Sequence, residues 1–234
     1  MTAPILEVHR GITVVRDDLF PGGTKARFIG KLFDGVAEAV YASPPEGGAQ
    51  TALATVARAL GKRATIFVAQ RAIPHPRTLE AARLGAKVVP VAPGYLTVVQ
   101  ARVKAYCRET GAYLIPFGAD FPGAAEAIAS SALMTGAAPD EVWCAAGSGV
   151  LARGLALAWP KARRHVVQIG RELSPRDVAG ATIHVHPRKF GERAMTAAPF
   201  PADPHYDAKA WEFCLAKRGG GNVLFWNVAP LPRP

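Results

Sequence analysis

The sequence predicts an α/β protein with mostly parallel sheets. Three observations carry that expectation: short apolar runs closed by turn residues, stretches of helical length between them, and regular alternation of the two. Half of the 234 residues are hydrophobic and one-fifth are charged, which suits one compact domain or two small lobes and excludes a disordered chain.

The elements follow in order. An apolar run at Gly35–Tyr41 precedes an alanine-rich helix over Thr51–Leu60 that stops at Gly61. Ala64–Ala69 reads as a buried strand, Arg77–Leu84 as a helix ended by Gly85, and Lys87–Val91 as the next strand. Leu96–Glu109 is a helix, Ala112–Ile115 a strand, Gly123–Leu133 a helix, Glu141–Ala146 a strand and Val150–Trp159 a helix. Two further strands are expected at His165–Ile169 and Ile183–His186. Arg188–Pro204, proline-containing and without period, reads as a surface loop, and Pro230–Pro234 as a frayed tail. Such an order joins parallel strands by right-handed crossovers and places ligands beyond the carboxyl ends of the strands.

No apolar run approaches the roughly 20 residues of a membrane span, and no basic stretch followed by an apolar run marks a secretory signal, so a cytoplasmic address is expected. The three cysteines, Cys107, Cys144 and Cys214, form no metal-ligand pattern. His184 and His186 alternate on one strand face, but no third ligand lies nearby, so no metal is expected. The 28 basic against 18 acidic residues leave a net charge of +10, which favours an anionic partner such as a phosphate or nucleic acid. Solvated surface charge accounts for it equally well, since no basic run exceeds three residues.

Three stretches carry chemistry. In Arg16-Asp17-Asp18-Leu19-Phe20-Pro21-Gly22-Gly23-Thr24-Lys25-Ala26-Arg27, a Pro-Gly-Gly turn opens onto Lys25 at the edge of a helix. Burial there would lower the ammonium pKa, as imine formation with an aldehyde requires, although an exposed lysine after a turn fits the spacing too. In the second, a buried strand runs into Gly147-Ser148-Gly149 and then the helix starting Val150-Leu151. The glycines admit close approach and the first helical N–H groups face an anion, but such turns also serve dinucleotides, adenosylmethionine or tight packing. The following strand ends Gln168-Ile169-Gly170-Arg171, without the acid a dinucleotide ribose needs. In the third, Asp203-Pro204-His205-Tyr206-Asp207-Ala208-Lys209-Ala210-Trp211, an acid and an aromatic introduce a helix, and Asp207 is either functional or a helix cap.

Taken in order, the three stretches resemble the fold type II pyridoxal-phosphate enzymes, the tryptophan synthase β-like superfamily, nearest its D-cysteine desulfhydrase and aminocyclopropanecarboxylate deaminase branch. The resemblance implies a two-lobed, three-layer αβα fold, with a cofactor-binding lobe of residues 1–35 and 119–234 and an inserted lobe of residues 36–118. It implies pyridoxal 5'-phosphate joined to Lys25 as an imine, its phosphate on Gly147, Ser148, Gly149, Val150 and Leu151, and Asp207 at the pyridine nitrogen with Tyr206 beside the ring. Catalytic roles then fall to Lys25, Tyr206 and Asp207. Where the family places Ser-Asn-His, this chain has Gly47-Gly48-Ala49, then Gln50 and Thr51. Gly48 is expected at the cofactor and Gly47–Thr51 at the substrate carboxylate, through backbone N–H groups. Phe28 stands where a basic residue usually follows the lysine.

The expected function is a pyridoxal-phosphate-dependent lyase acting at Cα of an amino acid or amine. Decarboxylation is favoured over deamination, because loss of carbon dioxide needs no side-chain base to start. The resemblance extends to small phage-encoded members found with DNA-hypermodification genes, which together with the charge points to an amino acid carried on a DNA base. A homodimer is implied. The alternatives are a non-catalytic binding or scaffold protein and, on the Gly147–Gly149 turn, an adenosylmethionine-dependent methyltransferase.

Overall fold

The computed structural model describes residues 2–92 and 95–232. Its elements are β1 (Leu6–His9), β2 (Ile12–Arg16), α1 (Gly23–Ile29), β3 (Glu38–Ser43), α2 (Ala49–Ala59), β4 (Arg63–Ala69), α3 (Pro76–Arg83), β5 (Lys87–Val91) and α4 (Leu96–Thr110). They continue with β6 (Tyr113–Leu114), α5 (Ala124–Leu133), β7 (Glu141–Ala146), α6 (Val150–Ala158), β8 (Arg163–Gln168), β9 (Thr182–Val185), α7 (Asp207–Lys217) and β10 (Val223–Asn227). The residues group into two compact units, a larger one of 2–27 and 120–231 and a smaller one of 28–119.

The larger unit holds a six-stranded sheet in the order β1-β2-β10-β7-β8-β9, parallel except for β1. Helices cover both of its faces. Along β7, Val142, Cys144 and Ala146 pack with Ala132, Ala152 and Leu155 of α5 and α6, while Trp143 and Ala145 pack with Ala210, Trp211 and Cys214 of α7. Every residue of β7 is therefore buried, which is why Val142–Ala146 is a continuous apolar run and not an alternation. Strand order reverses between β7, which leads through α6 to β8, and β10, which α7 delivers to the other side of β7. The carboxyl ends at such a reversal form the usual ligand crevice of an open α/β sheet.

The smaller unit is a four-stranded parallel sheet, β5-β4-β3-β6. Val99 and Val103 of α4 pack on Val40, Ala42 and Phe67 of its sheet. Helix α3 starts where the sequence signals it, with Pro76 in the first turn and the His75 ring accepting from the Arg77 N–H at 3.2 Å.

The expected α/β alternation is present, with element ends shifted by a residue or two. Three strands fall outside the sequence expectation. β1 and β2 form a hairpin whose two-residue turn, Arg10-Gly11, has φ of 52° and 72°, so no helix intervenes to reveal them. β10 shows in the sequence only as the apolar run Val223–Trp226. The expected strand to His186 ends at Val185 instead, because His186 turns in to place Nε2 3.0 Å from Glu212 and accepts from the Arg188 N–H. Of the expected tail, residues 233 and 234 lie outside the described residues.

Candidate active site

Lys25 is positioned by ion pairs that close inside its own sequence stretch. Arg27, two residues further on, donates to buried Asp17 at 2.6 Å and to the Thr2 carbonyl at 2.7 Å, so the start of α1 is tied back to the end of β2. Arg16 donates twice to Asp18 at 2.8 Å. On the other side, Thr24 donates its N–H to the Val228 carbonyl at 2.9 Å and accepts from the Trp226 indole at 2.9 Å. Gly23 sits at φ +69°, and a Cβ there would lie 2.4 Å from the Val228 oxygen. Glycine is thus required for α1 to begin against the chain leaving β10.

The resulting place for the Lys25 amine is desolvated. Burial lowers its pKa from the ordinary 10.5, and the Asp207 charge acts in the opposite sense. The residue as a whole is half-buried. Asp207 is fully buried and is the first residue of α7. It does not cap the helix, since Tyr206 holds the cap position and the preceding turn is closed by Asp203, which accepts the His205 N–H at 2.8 Å. A carboxylate there is favoured by the helix dipole.

Asp207 reaches further than Lys25. Burial first, and its charge second, raise the Cys144 thiol to about 12 and also push the Tyr206 phenol above its usual range. A Cβ on Gly147 would lie 3.7 Å from the Tyr206 hydroxyl oxygen, which brings the third stretch against the glycine turn. Lys209, the last polar residue of that stretch, is buried and donates to the Lys189 carbonyl at 2.6 Å, holding the 188–189 segment in place. Thus Lys25, Tyr206, Asp207 and the turn at Gly147 lie at the carboxyl ends of β2, β10 and β7, within one unit.

Gly147, Ser148 and Gly149 lead into α6, whose first residues are Val150 and Leu151. The opening N–H groups of a helix have no acceptor in a preceding turn, so they face outward from its start. Gly149 has φ +87°, and a Cβ on it would lie 2.0 Å from the Asp177 carbonyl oxygen. Only glycine permits this turn against the 174–180 loop.

The stretch Gly47–Thr51 belongs to the smaller unit, where it starts α2. Its side chains are committed locally. The Gln50 amide donates to the carbonyls of Pro44 at 3.1 Å and Pro45 at 2.8 Å and accepts from Thr78, and the Thr51 hydroxyl donates to the Gly48 carbonyl. What this turn offers a ligand is backbone.

Two residues escaped the sequence reading. Cys144 was visible only as a free thiol, and the Asp207 charge that acts on it comes from a different stretch of the chain, beyond the reach of any local pattern. Arg171 was noted for the acid it replaces, whereas its Nε donates to the Gly147 carbonyl at 3.3 Å. His184 and His186 do share a face, both rings meeting Phe213, but His184 pairs with His165 and His186 with Glu212. Among the described residues no group of three or more His, Cys, Asp or Glu is placed to hold a metal.

A family model described as pyridoxal-phosphate dependent enzyme matches residues 22–221. The chain belongs to that family. Its cofactor is pyridoxal 5'-phosphate, and its architecture is the tryptophan synthase β-like three-layer αβα fold. Among solved structures, an ACC deaminase homologue is similar with a TM-score of 0.78 and 17% identity, covering 94% of this chain and 85% of its own. The T.th. threonine deaminase gives 0.74 and 17%, over 95% and 88% of the two chains. The diaminopropionate ammonia lyase of Escherichia coli gives 0.67 and 15%, over 94% and 77%. No curated protein sequence matches the chain. Family membership removes the methyltransferase reading of the glycine turn. The residues present suit the cofactor: a desolvated amine for its aldehyde, a buried carboxylate for its ring nitrogen, and a glycine-lined helix start for its phosphate.

Proposed function

We propose that the protein is a pyridoxal-phosphate-dependent lyase that breaks a bond at Cα of an amino acid or amine. The observation that carries this is the Lys25 amine, lowered in pKa by burial and within the field of buried Asp207. Bound to this chain, the cofactor supplies an electron sink for the bond being broken. Lys25 would hold its aldehyde carbon and afterwards carry a proton on Nζ to or from Cα. Asp207 would keep the ring nitrogen protonated, and Tyr206, neutral because its pKa is raised, would pack beside the ring and donate a hydrogen bond. The helix start at Gly147–Leu151 would take the phosphate. Gly48 would approach the cofactor, and the turn Gly47–Thr51 would receive a substrate carboxylate on N–H groups other than those of Gly47 and Gln50, which donate to the Pro44 and Gly47 carbonyls. In lobe terms, residues 1–35 and 119–234 would carry the cofactor and 36–118 the substrate turn.

Decarboxylation is proposed ahead of deamination. Gln50 and Thr51 are engaged with the backbone, and the Ser43 hydroxyl donates to the Pro44 carbonyl, so this segment lacks a side-chain base. The named neighbours are deaminases and an ammonia lyase, which keeps deamination as the second reading. The charge of +10 supports an anionic carrier, and an amino acid attached to a DNA base is the proposed extension. A homodimer in the cytoplasm completes the proposal; no described helix is long and apolar enough to cross a membrane.

Purified protein should take up pyridoxal phosphate with a yellow absorbance band, and borohydride should fix the cofactor on Lys25. Lys25→Ala should abolish both. Protein that stays colourless with added cofactor would contradict the reading. Products of candidate amino acids, free and DNA-linked, separate carbon dioxide from ammonia release. DNA affinity that does not fall between low and moderate salt removes the DNA extension.

A further inference from the structure

The side chains of Arg171 and Asp177 form a brace on the outer rim of the glycine turn, and the phosphate reading above does not use them. Arg171 Nε donates to the Gly147 carbonyl at 3.3 Å, and its terminal nitrogen donates to Asp177 Oδ1 at 2.7 Å. Asp177 Oδ2 in turn accepts from both the N–H and the hydroxyl of Ser174 at 2.8 Å. Arg153 donates to the Asp177 carbonyl at 3.2 Å, the same oxygen that excludes a Cβ at Gly149. The brace therefore touches both glycines of the turn.

Its geometric consequence comes from the peptide plane. No peptide bond of the described chain is cis, so the carbonyl of Gly147 and the N–H of Ser148 point in opposite directions across one rigid plane. The Tyr206 hydroxyl and the Ile169 carbonyl flank Gly147, 3.7 and 3.5 Å from where its Cβ would lie. With the carbonyl drawn outward to Arg171, the Ser148 N–H faces the inside of the turn, beside the N–H groups that open α6. A glycine peptide without that anchor can rotate, because neither φ nor ψ of Gly147 is restrained by a side chain.

We propose that Arg171, held by Asp177, is a positioning residue for phosphate recognition: it sets the Gly147–Ser148 peptide so that its N–H meets the phosphate of the cofactor. The proposal rests on the placement of the phosphate at Gly147–Leu151. It concerns a pre-aimed backbone donor and differs from a simple attraction between a cation and an anion, since the guanidinium is engaged with a carbonyl and a carboxylate.

The test is equilibrium binding of pyridoxal phosphate and of pyridoxal, which lacks the phosphate, to the apo protein, read by absorbance and tryptophan quenching. Arg171→Met should weaken pyridoxal phosphate by about tenfold, the scale of one charge-assisted hydrogen bond, and leave pyridoxal within about twofold. Arg171→Lys keeps the charge without the Nε donor and should behave like Arg171→Met. Asp177→Asn should show the same selective loss in milder form, and it serves alone should Arg171→Met fail to fold. Equal loss for both ligands, or full rescue by Arg171→Lys, overturns the proposal. Wild-type protein that binds both ligands equally well shows that the phosphate is not read at this turn. Wild-type protein that binds neither is a failure of the cofactor reading itself.

Discussion

The Asp207 carboxylate acts on the Lys25 amine against burial: enclosure lowers the lysine pKa and the neighbouring negative charge raises it. Asp207→Asn removes only the second effect, so the amine pKa should fall further below 10.5. The pH dependence of borohydride-trapped cofactor on Lys25 measures this, and an unchanged midpoint would show that the two groups do not interact.

Lys25 should also cost the apo protein stability. Its folded pKa lies below the unfolded 10.5, so the unfolded chain binds the extra proton, and the penalty is complete below the folded pKa and gone above 10.5. Apo Lys25→Met should therefore melt at higher temperature than wild type at neutral pH, with the gap closing toward pH 10.5. A gap independent of pH would point to packing alone.

Gly154→Ala sets two effects against each other. Alanine improves helix propensity by about 1 kcal/mol, while its Cβ would lie 2.4 Å from Ile128 Cγ2 and 2.9 Å from the Ala125 carbonyl, where α5 and α6 meet. Overpacking against main chain costs about 1–3 kcal/mol, so net destabilisation should appear in urea titrations.

Arg27→Met strands a buried charge. The Arg27 and Asp17 side chains are 2% and 0% exposed, and losing one partner of such a pair costs about 3–5 kcal/mol. The double variant Arg27→Met with Asp17→Leu should recover much of that loss in chemical denaturation. If it is as unstable as the sum of the single variants, the pair is not coupled.

His165 and His184 lie 3.1 Å apart, nitrogen to nitrogen, and both rings stack on Trp143. Burial lowers the pKa of each, and the charge of His165 lowers His184 further. Each ring takes up its proton at lower pH in the folded chain than in the unfolded one, so stability is full above 6.5 and declines as pH falls toward the folded values. Melting temperature should drop over that acidic window, and His184→Phe should flatten the curve.

Local pattern was enough to read the α/β alternation, most helix limits and the turns at Gly61, Gly85 and Gly149, because hydrophobic period and left-handed glycines act over a few residues. It also supplied Lys25, the Gly147 turn and Asp207 as separate stretches, with exposed or merely capping roles left open at each. Their burial and their proximity to one another came only with the packed molecule. Burying α7 against β7 and β10 brings Asp207 into the field of Lys25, and the β10 end at Trp226 and Val228 fixes Thr24 beside it. The Arg171 anchor on Gly147 is likewise a contact across β7 and β8. Desolvation and charge proximity depend on distance through space, and distance along the chain carries no record of them.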